Sequence, residues 1–178
     1  AHMRTQEVTA WMGPDFHVVH YPVRGGDLLN VVAIVQGDPP GDLTDWDHSA
    51  NAAELQLLLG RAHPKLRDLI YAIAHWRLWA LCDRAPMRGS GEHCSGRVAL
   101  VGDAAHPMRP YLAQGACMAL EDAAALARQL SATANSTVPV ALAAFAAERW
   151  QRNARVQARS IRNGEIYHAK GWMQVARD

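Results

Sequence analysis

The chain has 178 residues, 49% hydrophobic and 20% charged, with a formal net charge of +1. That balance excludes a disordered chain and predicts a globular one with a sizeable core, while so small a net charge argues against a nucleic-acid surface or an anionic membrane. No apolar run approaches the ~20 residues that cross a bilayer. Three cysteines, Cys82, Cys94 and Cys117, are odd in number and lack metal-ligand spacing. They point to a reducing cytoplasm rather than a disulfide framework.

Ala1-His2-Met3 has the look of a protease-site scar and is set aside. Gln6–Met12 and Phe16–Val23 read as strands separated by Gly13-Pro14-Asp15, a turn in which Pro fixes φ and Asp bonds nearby backbone. Arg24-Gly25-Gly26-Asp27 is the next turn and Leu28–Gln36 a third strand, so an antiparallel meander is expected. Strand parity puts His17, Val19 and Tyr21 on one face and Val18, His20 and Pro22 on the other. From the residues alone, His17 and Tyr21 suit either a pocket for an aromatic acid or the wet side of an antiparallel sheet. Ser49 is a candidate cap for a helix to Leu59, and His63-Pro64 opens another over Lys65–Ala72. These two helices could cover a pocket or simply pack on the sheet. Trp76 and Trp79 read as core or interface aromatics.

The most informative stretch is Arg97–Pro107, continuing to Glu121-Asp122. Val98, Leu100 and Val101 predict a short buried strand of the parallel-sheet kind. Gly102 ends it and permits close backbone approach, and Asp103 follows at the carboxyl end, where open α/β sheets bind ligands. A helix is expected from Gly115, whose first N–H groups favour an anion. In that helix Leu120, Ala123, Ala127 and Leu130 are expected to face the core. Glu121 and Asp122 are expected opposite, complementing the helix dipole. After a polar linker, Ser131–Thr137, a long helix starts near Pro139. Its Arg149, Arg152, Arg155, Arg159 and Arg162 form a basic stripe, read as a solvated or ion-paired face. Gly164 is expected to separate a last segment, Glu165–His168. No metal set emerges, because His17 and His20 lie on opposite strand faces, and no hydrolase nucleophile elbow is present.

The GDAAHP segment, Gly102–Pro107, with Pro110–Ala123 behind it, resembles the second flavin motif of the single-component FAD-dependent aromatic hydroxylases of the salicylate and hydroxybenzoate class. The similarity runs from Trp11 to Gly171. The resemblance implies an α/β fold, α+β for this portion: the C-terminal half of a doubly wound FAD/NAD(P)-binding fold, an antiparallel substrate-domain sheet and long C-terminal helices. It places the substrate domain at 4–80 and the flavin-domain portion at 81–178. The opening G-x-G-x-x-G unit is missing, as Gly89–Gly96 leads into a strand rather than a helix. The resemblance further implies NAD(P)H as co-substrate and hydroxylation of a small aromatic carboxylate by O₂ through a flavin C4a-hydroperoxide. It assigns cofactor contacts to Gly102, Asp103, Pro110, Gly115 and the backbone N–H groups of Ala116 and Cys117. It assigns substrate and proton chemistry to His17 and Tyr21. Where 3-hydroxybenzoate 6-hydroxylases carry a pocket Gln, Pro110 stands, as in salicylate hydroxylases, so regiochemistry is open. The partners implied are the aromatic acid and the missing N-terminal half, with a homodimer as one option. The rival expectation is a non-catalytic fragment that binds no flavin alone.

Overall fold

The computed structural model describes residues 6–38, 41–43, 52–60, 62–132 and 137–177. The chain divides into two compact units, residues 1–80 with 165–178, and residues 81–164.

In the first unit, β1 (Thr9–Gly13), β2 (Phe16–Val23) and β3 (Leu28–Val35) form the antiparallel meander. β2 has the expected bounds, whereas β1 starts later than expected. Tight turns with left-handed residues make the two connections: Asp15 at φ 64° in one, Arg24, Gly25 and Gly26 in the other. The register pairs Met12 with His17 and His17 with Ile34, and sets Val18 between Trp11 and Ala33.

Helices α1 (Ala52–Leu59) and α2 (Pro64–Tyr71) pack on the Val18 face, where Val18, Leu59, Leu66, Leu69 and Ile70 make the core. Each such aliphatic side chain contributes about 1.5–3 kcal/mol on burial. His63 caps α2 by accepting the Lys65 N–H at 3.2 Å, and Pro64 occupies the first turn, where its missing N–H costs nothing. The proposed cap Ser49 lies outside the described residues. Trp76 packs against this core, as expected, while Trp79 is largely exposed. The short helix α5 (Trp172–Arg177) closes the unit.

In the second unit the expected buried strand is reduced to β5 (Val98–Ala99), which pairs antiparallel with β4 (Cys94–Ser95). Val98 is 65% exposed and Val101 41%. Among the described residues no further strand pairs with this segment, and Ala99 and Leu100 between those valines are half-buried. Helix α3 (Gly115–Ser131) is rotated from expectation. Met118, Asp122 and Ala125 are buried, and Leu120, Ala123, Ala127 and Leu130 are exposed. The reason is electrostatic: Asp122 is the anchor by which α4 (Val138–Tyr167) is fastened to α3.

Gly164 does not end α4, which continues to Tyr167. A Cβ at Gly164 would overlap the ring of Tyr111, so glycine there makes room for an aromatic and the helix tolerates it.

Candidate functional site

Gly102, Asp103 and the start of α3 come together. Gly102 is buried at φ +57°, and a Cβ there would meet the Ala119 Cβ at 3.2 Å. Conformation and space therefore both favour glycine. Gly102, Asp103 and Ala104 make one 3-10 turn, with the N–H groups of Ala105 and His106 donating to the Gly102 carbonyl, each at 2.9 Å. Asp103 is exposed, and its Oδ1 lies 3.9 Å from where a Cβ of Gly115 would stand. The carboxylate thus lies within van der Waals reach of the helix mouth.

The first helical bond of α3 runs from Met118 N–H to Gln114 O at 2.9 Å, and no side chain caps the helix. The N–H groups of Gly115, Ala116 and Cys117 precede that bond and are unclaimed by the helical ladder. Ala116 and Cys117 are exposed. The chain enters through a 3-10 turn at Pro110–Leu112 and a left-handed Ala113 at φ 52°. Pro110 itself is exposed. The arrangement offers a carboxylate acceptor and a cluster of N–H donors within one small surface.

Behind this surface lies a polar cluster that the sequence reading did not anticipate. Asp122, fully buried, accepts from His106 Nε2 at 2.6 Å and the Gly102 N–H at 3.3 Å through Oδ2. Its Oδ1 accepts from Arg149 Nε at 2.9 Å and Asn153 Nδ2 at 3.0 Å. Burial alone would raise this carboxyl; the bonds from His106, Arg149 and Asn153 outweigh it and hold the group well below the usual carboxylate range. An ionised carboxylate only accepts, so the proton lies on His106 Nε2. Arg149 also reaches Glu121 at 2.8 Å, and Arg152 grips the same carboxylate with two bonds of 2.6 Å. The Arg152 bonds lower the Glu121 pKa to about 2.

The basic stripe is therefore not uniform. Arg149 is a buried structural cation, Arg152 an ion-paired one, and Arg155, Arg159 and Arg162 are exposed. Arg152, Arg155 and Arg159 line an open groove of about 400 Å³ together with Leu112 and Gln114. A sequence signal for the buried part existed: Arg149, Asn153, Gln157 and Ser160 recur at helical spacing as a polar, buried line. Gln157 Nε2 donates to the Arg84 and Pro107 carbonyls at 2.8 and 3.0 Å, and the Ser160 hydroxyl to the Arg109 carbonyl at 2.6 Å.

His17 and Tyr21 belong to the first unit. His17 is 2% exposed, so its face of the sheet is not a wet one. Its Nδ1 lies 2.7 Å from Nε2 of His168, and its ring meets Tyr167 edge-on at 5.2 Å. Burial, and secondarily the neighbouring His168, lower the His17 pKa to about 4. Tyr21 is half-buried on the same strand. Opposite, His20 is buried beside Trp11.

Residues 79–160 match the FAD binding domain family. The chain is 39% identical over 169 residues to 3-hydroxybenzoate 6-hydroxylase of Polaromonas naphthalenivorans, spanning 94% of this chain and 40% of that protein. Salicylate hydroxylase of Pseudomonas putida is 36% identical over 90% of the chain and 38% of its own length. Among solved structures, a salicylate hydroxylase substrate complex matches with TM-score 0.78 and 31% identity, over 90% of this chain and 40% of that one. HpxO of Klebsiella pneumoniae complexed with FAD matches with TM-score 0.70 and 27% identity, over 96% of this chain and 44% of that one. The chain thus spans well under two thirds of these relatives. By sequence and by architecture the chain is similar, along nearly all of its own length, to a portion of these hydroxylases.

Proposed function

We propose that this chain is the C-terminal part of an enzyme that hydroxylates a small aromatic carboxylate of the salicylate or hydroxybenzoate class, using FAD, NAD(P)H and O₂. The observation that carries the reading is the Asp103 carboxylate set against Gly115 at a helix mouth whose first N–H groups are uncapped. Those residues fit a flavin: a hydroxylated chain needs an acceptor, and a ring that becomes anionic on reduction needs donors. When bound, FAD supplies the electrons and the activated oxygen that side chains cannot provide.

The chain's own residues have separate tasks. Asp103 accepts hydrogen bonds from ribityl hydroxyls, and Gly102 keeps the backbone close. The N–H groups of Ala116 and Cys117 hold negative charge on the reduced ring. Pro107, Pro110 and Leu112 wall off water, protecting reactive oxygen. His17, neutral at physiological pH, takes the phenolic proton and so raises electron density on the substrate ring; Tyr21 is the alternative. Residues 4–80 contribute the substrate side and 81–178 the flavin side. The remaining half of the protein completes the flavin site, and a homodimer is one option for assembly. Free thiols at Cys82, Cys94 and Cys117 suit a reducing cytoplasm.

The test uses the complete protein with a panel of hydroxybenzoates, following NADH oxidation and hydroxylated product. Coupled product from at least one aromatic acid is expected. NADH consumption with all oxygen released as hydrogen peroxide, for every acid tried, would overturn the assignment. Asp103→Ala should abolish FAD retention in the complete protein; unchanged occupancy removes Asp103 from the site. A second reading is favoured by the exposure of Val98, Val101 and Leu120 beside the flavin loop. On that reading the chain alone is a non-catalytic fragment that binds no flavin. Flavin absorbance bands acquired on adding FAD to the isolated chain exclude that alternative.

A further inference from the structure

Helix α4 carries three arginines on one face. Arg152, Arg155 and Arg159, with Val156 among them, recur at helical spacing, and all four line the groove of about 400 Å³ that Leu112 and Gln114 also line. Their charges are not equally matched. Glu121 accepts two bonds of 2.6 Å from Arg152 and a further contact from Arg149 at 2.8 Å, so one carboxylate faces two guanidiniums. Arg155 and Arg159 are exposed and have no ion-pair partner among the described residues. No Asp or Glu lines the groove. Like charges one helical turn apart repel, so this pair weakens its own helix unless an anion lies between the two groups.

The groove narrows the choice of anion. Guanidinium forks recognise the paired oxygens of carboxylates and phosphates. Two forks with Cβ atoms about 5–6 Å apart match two phosphoryl groups in succession better than one carboxylate. Gln114 adds an amide, and Leu112 and Val156 add apolar surface for a sugar or a base. The volume is that of a small-molecule site rather than of a single ion.

Position narrows it further. Gln114 immediately precedes Gly115, so the groove opens beside the helix mouth that receives the flavin ring on the reading above. Asp103, which that reading gives to the ribityl chain, does not line the groove. The flavin's own diphosphate is tethered to the far end of that chain, on the Asp103 side. Resting on the proposed flavin site, we propose that Arg155 and Arg159 hold the diphosphate of the reducing nicotinamide dinucleotide, with Gln114 as a further donor. Arg152 stays with Glu121 and borders the groove without carrying the ligand. The dinucleotide is thereby anchored through its diphosphate, next to the flavin it reduces.

The test uses the complete holoenzyme and two kinds of probe. NADH and NADPH are followed by anaerobic bleaching of the flavin. ADP-ribose, which carries the same diphosphate without a reducing ring, is followed by calorimetric titration. Arg155→Gln and Arg159→Gln are each expected to raise the Kd of the reducing dinucleotide and of ADP-ribose tenfold or more. The limiting rate of flavin reduction, the Kd of FAD and the unfolding midpoint are expected to stay near the parent's. Arg155→Lys keeps the charge without the fork and is expected to lose less affinity than Arg155→Gln. Arg162→Gln, exposed on α4 but outside the groove, is expected to change neither affinity more than twofold. Normal flavin reduction in the parent, with ADP-ribose affinity unchanged in both glutamine variants, overturns the assignment of the groove alone. A raised Kd for FAD with unchanged ADP-ribose binding gives the groove to the flavin's diphosphate and overturns it as well. A lowered unfolding midpoint with unchanged ADP-ribose binding gives it to an acidic segment of the remaining protein, with the same consequence. A parent whose flavin neither NADH nor NADPH reduces overturns the proposed function and, with it, the ligand of the groove.

Discussion

Replacing Asp122 with alanine tests how the Gly102–His106 loop is held. The substitution removes the acceptor for four donors: the Gly102 N–H, His106, Arg149 and Asn153. It leaves Arg149, 7% exposed, with Glu121 as its remaining carboxylate at 2.8 Å. Breaking a buried pair by deleting one partner costs about 3–5 kcal/mol, because the other charge stays buried. Retention of Glu121 moves the expectation to the lower end, about 3 kcal/mol. Urea unfolding followed by circular dichroism measures the loss at neutral pH. The pH dependence supplies a further check. The Asp122 carboxyl is depressed in the folded state from its ordinary 3.8, so its stabilisation is complete above that value and is lost as pH falls below it. The gap between the parent and Asp122→Ala should therefore narrow below about pH 4. A loss below about 1 kcal/mol at neutral pH would refute the reasoning, since that is the size of an ordinary solvent-exposed contact.

Three further outcomes are expected. Gly102→Ala combines a left-handed φ of +57° with a Cβ 3.2 Å from Ala119, and should destabilise the chain by about 1–3 kcal/mol in the same assay. His17, with its pKa lowered to about 4 from 6.5, contributes stability that is fully present above pH 6.5 and is lost as pH falls toward 4. An unfolding series over that range should show a decline of up to about 3 kcal/mol that is absent in His17→Phe. On the proposed function, which assigns the contact to the Cys117 backbone N–H and not to its thiol, Cys117→Ser should leave FAD affinity within twofold in the complete protein; equilibrium flavin titration measures this.

Much of the first unit was legible because its signals are local. Gly13-Pro14-Asp15 and Arg24-Gly25-Gly26 specify turns by their own backbone preferences, and β2 falls where its β-branched and aromatic residues predict. The turn at Gly102–Ala104 and the start of α3 were legible for the same reason: Gly102 acts through its own backbone preference, and Asp103 and Gly115 lie close to it in sequence. What escaped depends on distant partners. Asp122 reads as a helix-start charge until His106, Arg149 and Asn153 are brought to it from 16, 27 and 31 residues away. Leu120, Ala123, Ala127 and Leu130 have faultless helical spacing and were expected inward, yet four donors converging on Asp122 turn the other side of α3 in. His168 could not be paired with His17 by any pattern, since 151 residues intervene.

The bond from Gly102 to Asp122 has a consequence for local motion. This amide is tied to a side chain rather than to a strand or helix ladder, while Val98 and Val101 just before it are uncovered. Releasing it exposes little additional hydrocarbon, so its hydrogen exchange should depend only weakly on denaturant, unlike amides protected by global unfolding. That single amide becomes a gauge of whether the loop is closed while the rest of the chain remains folded.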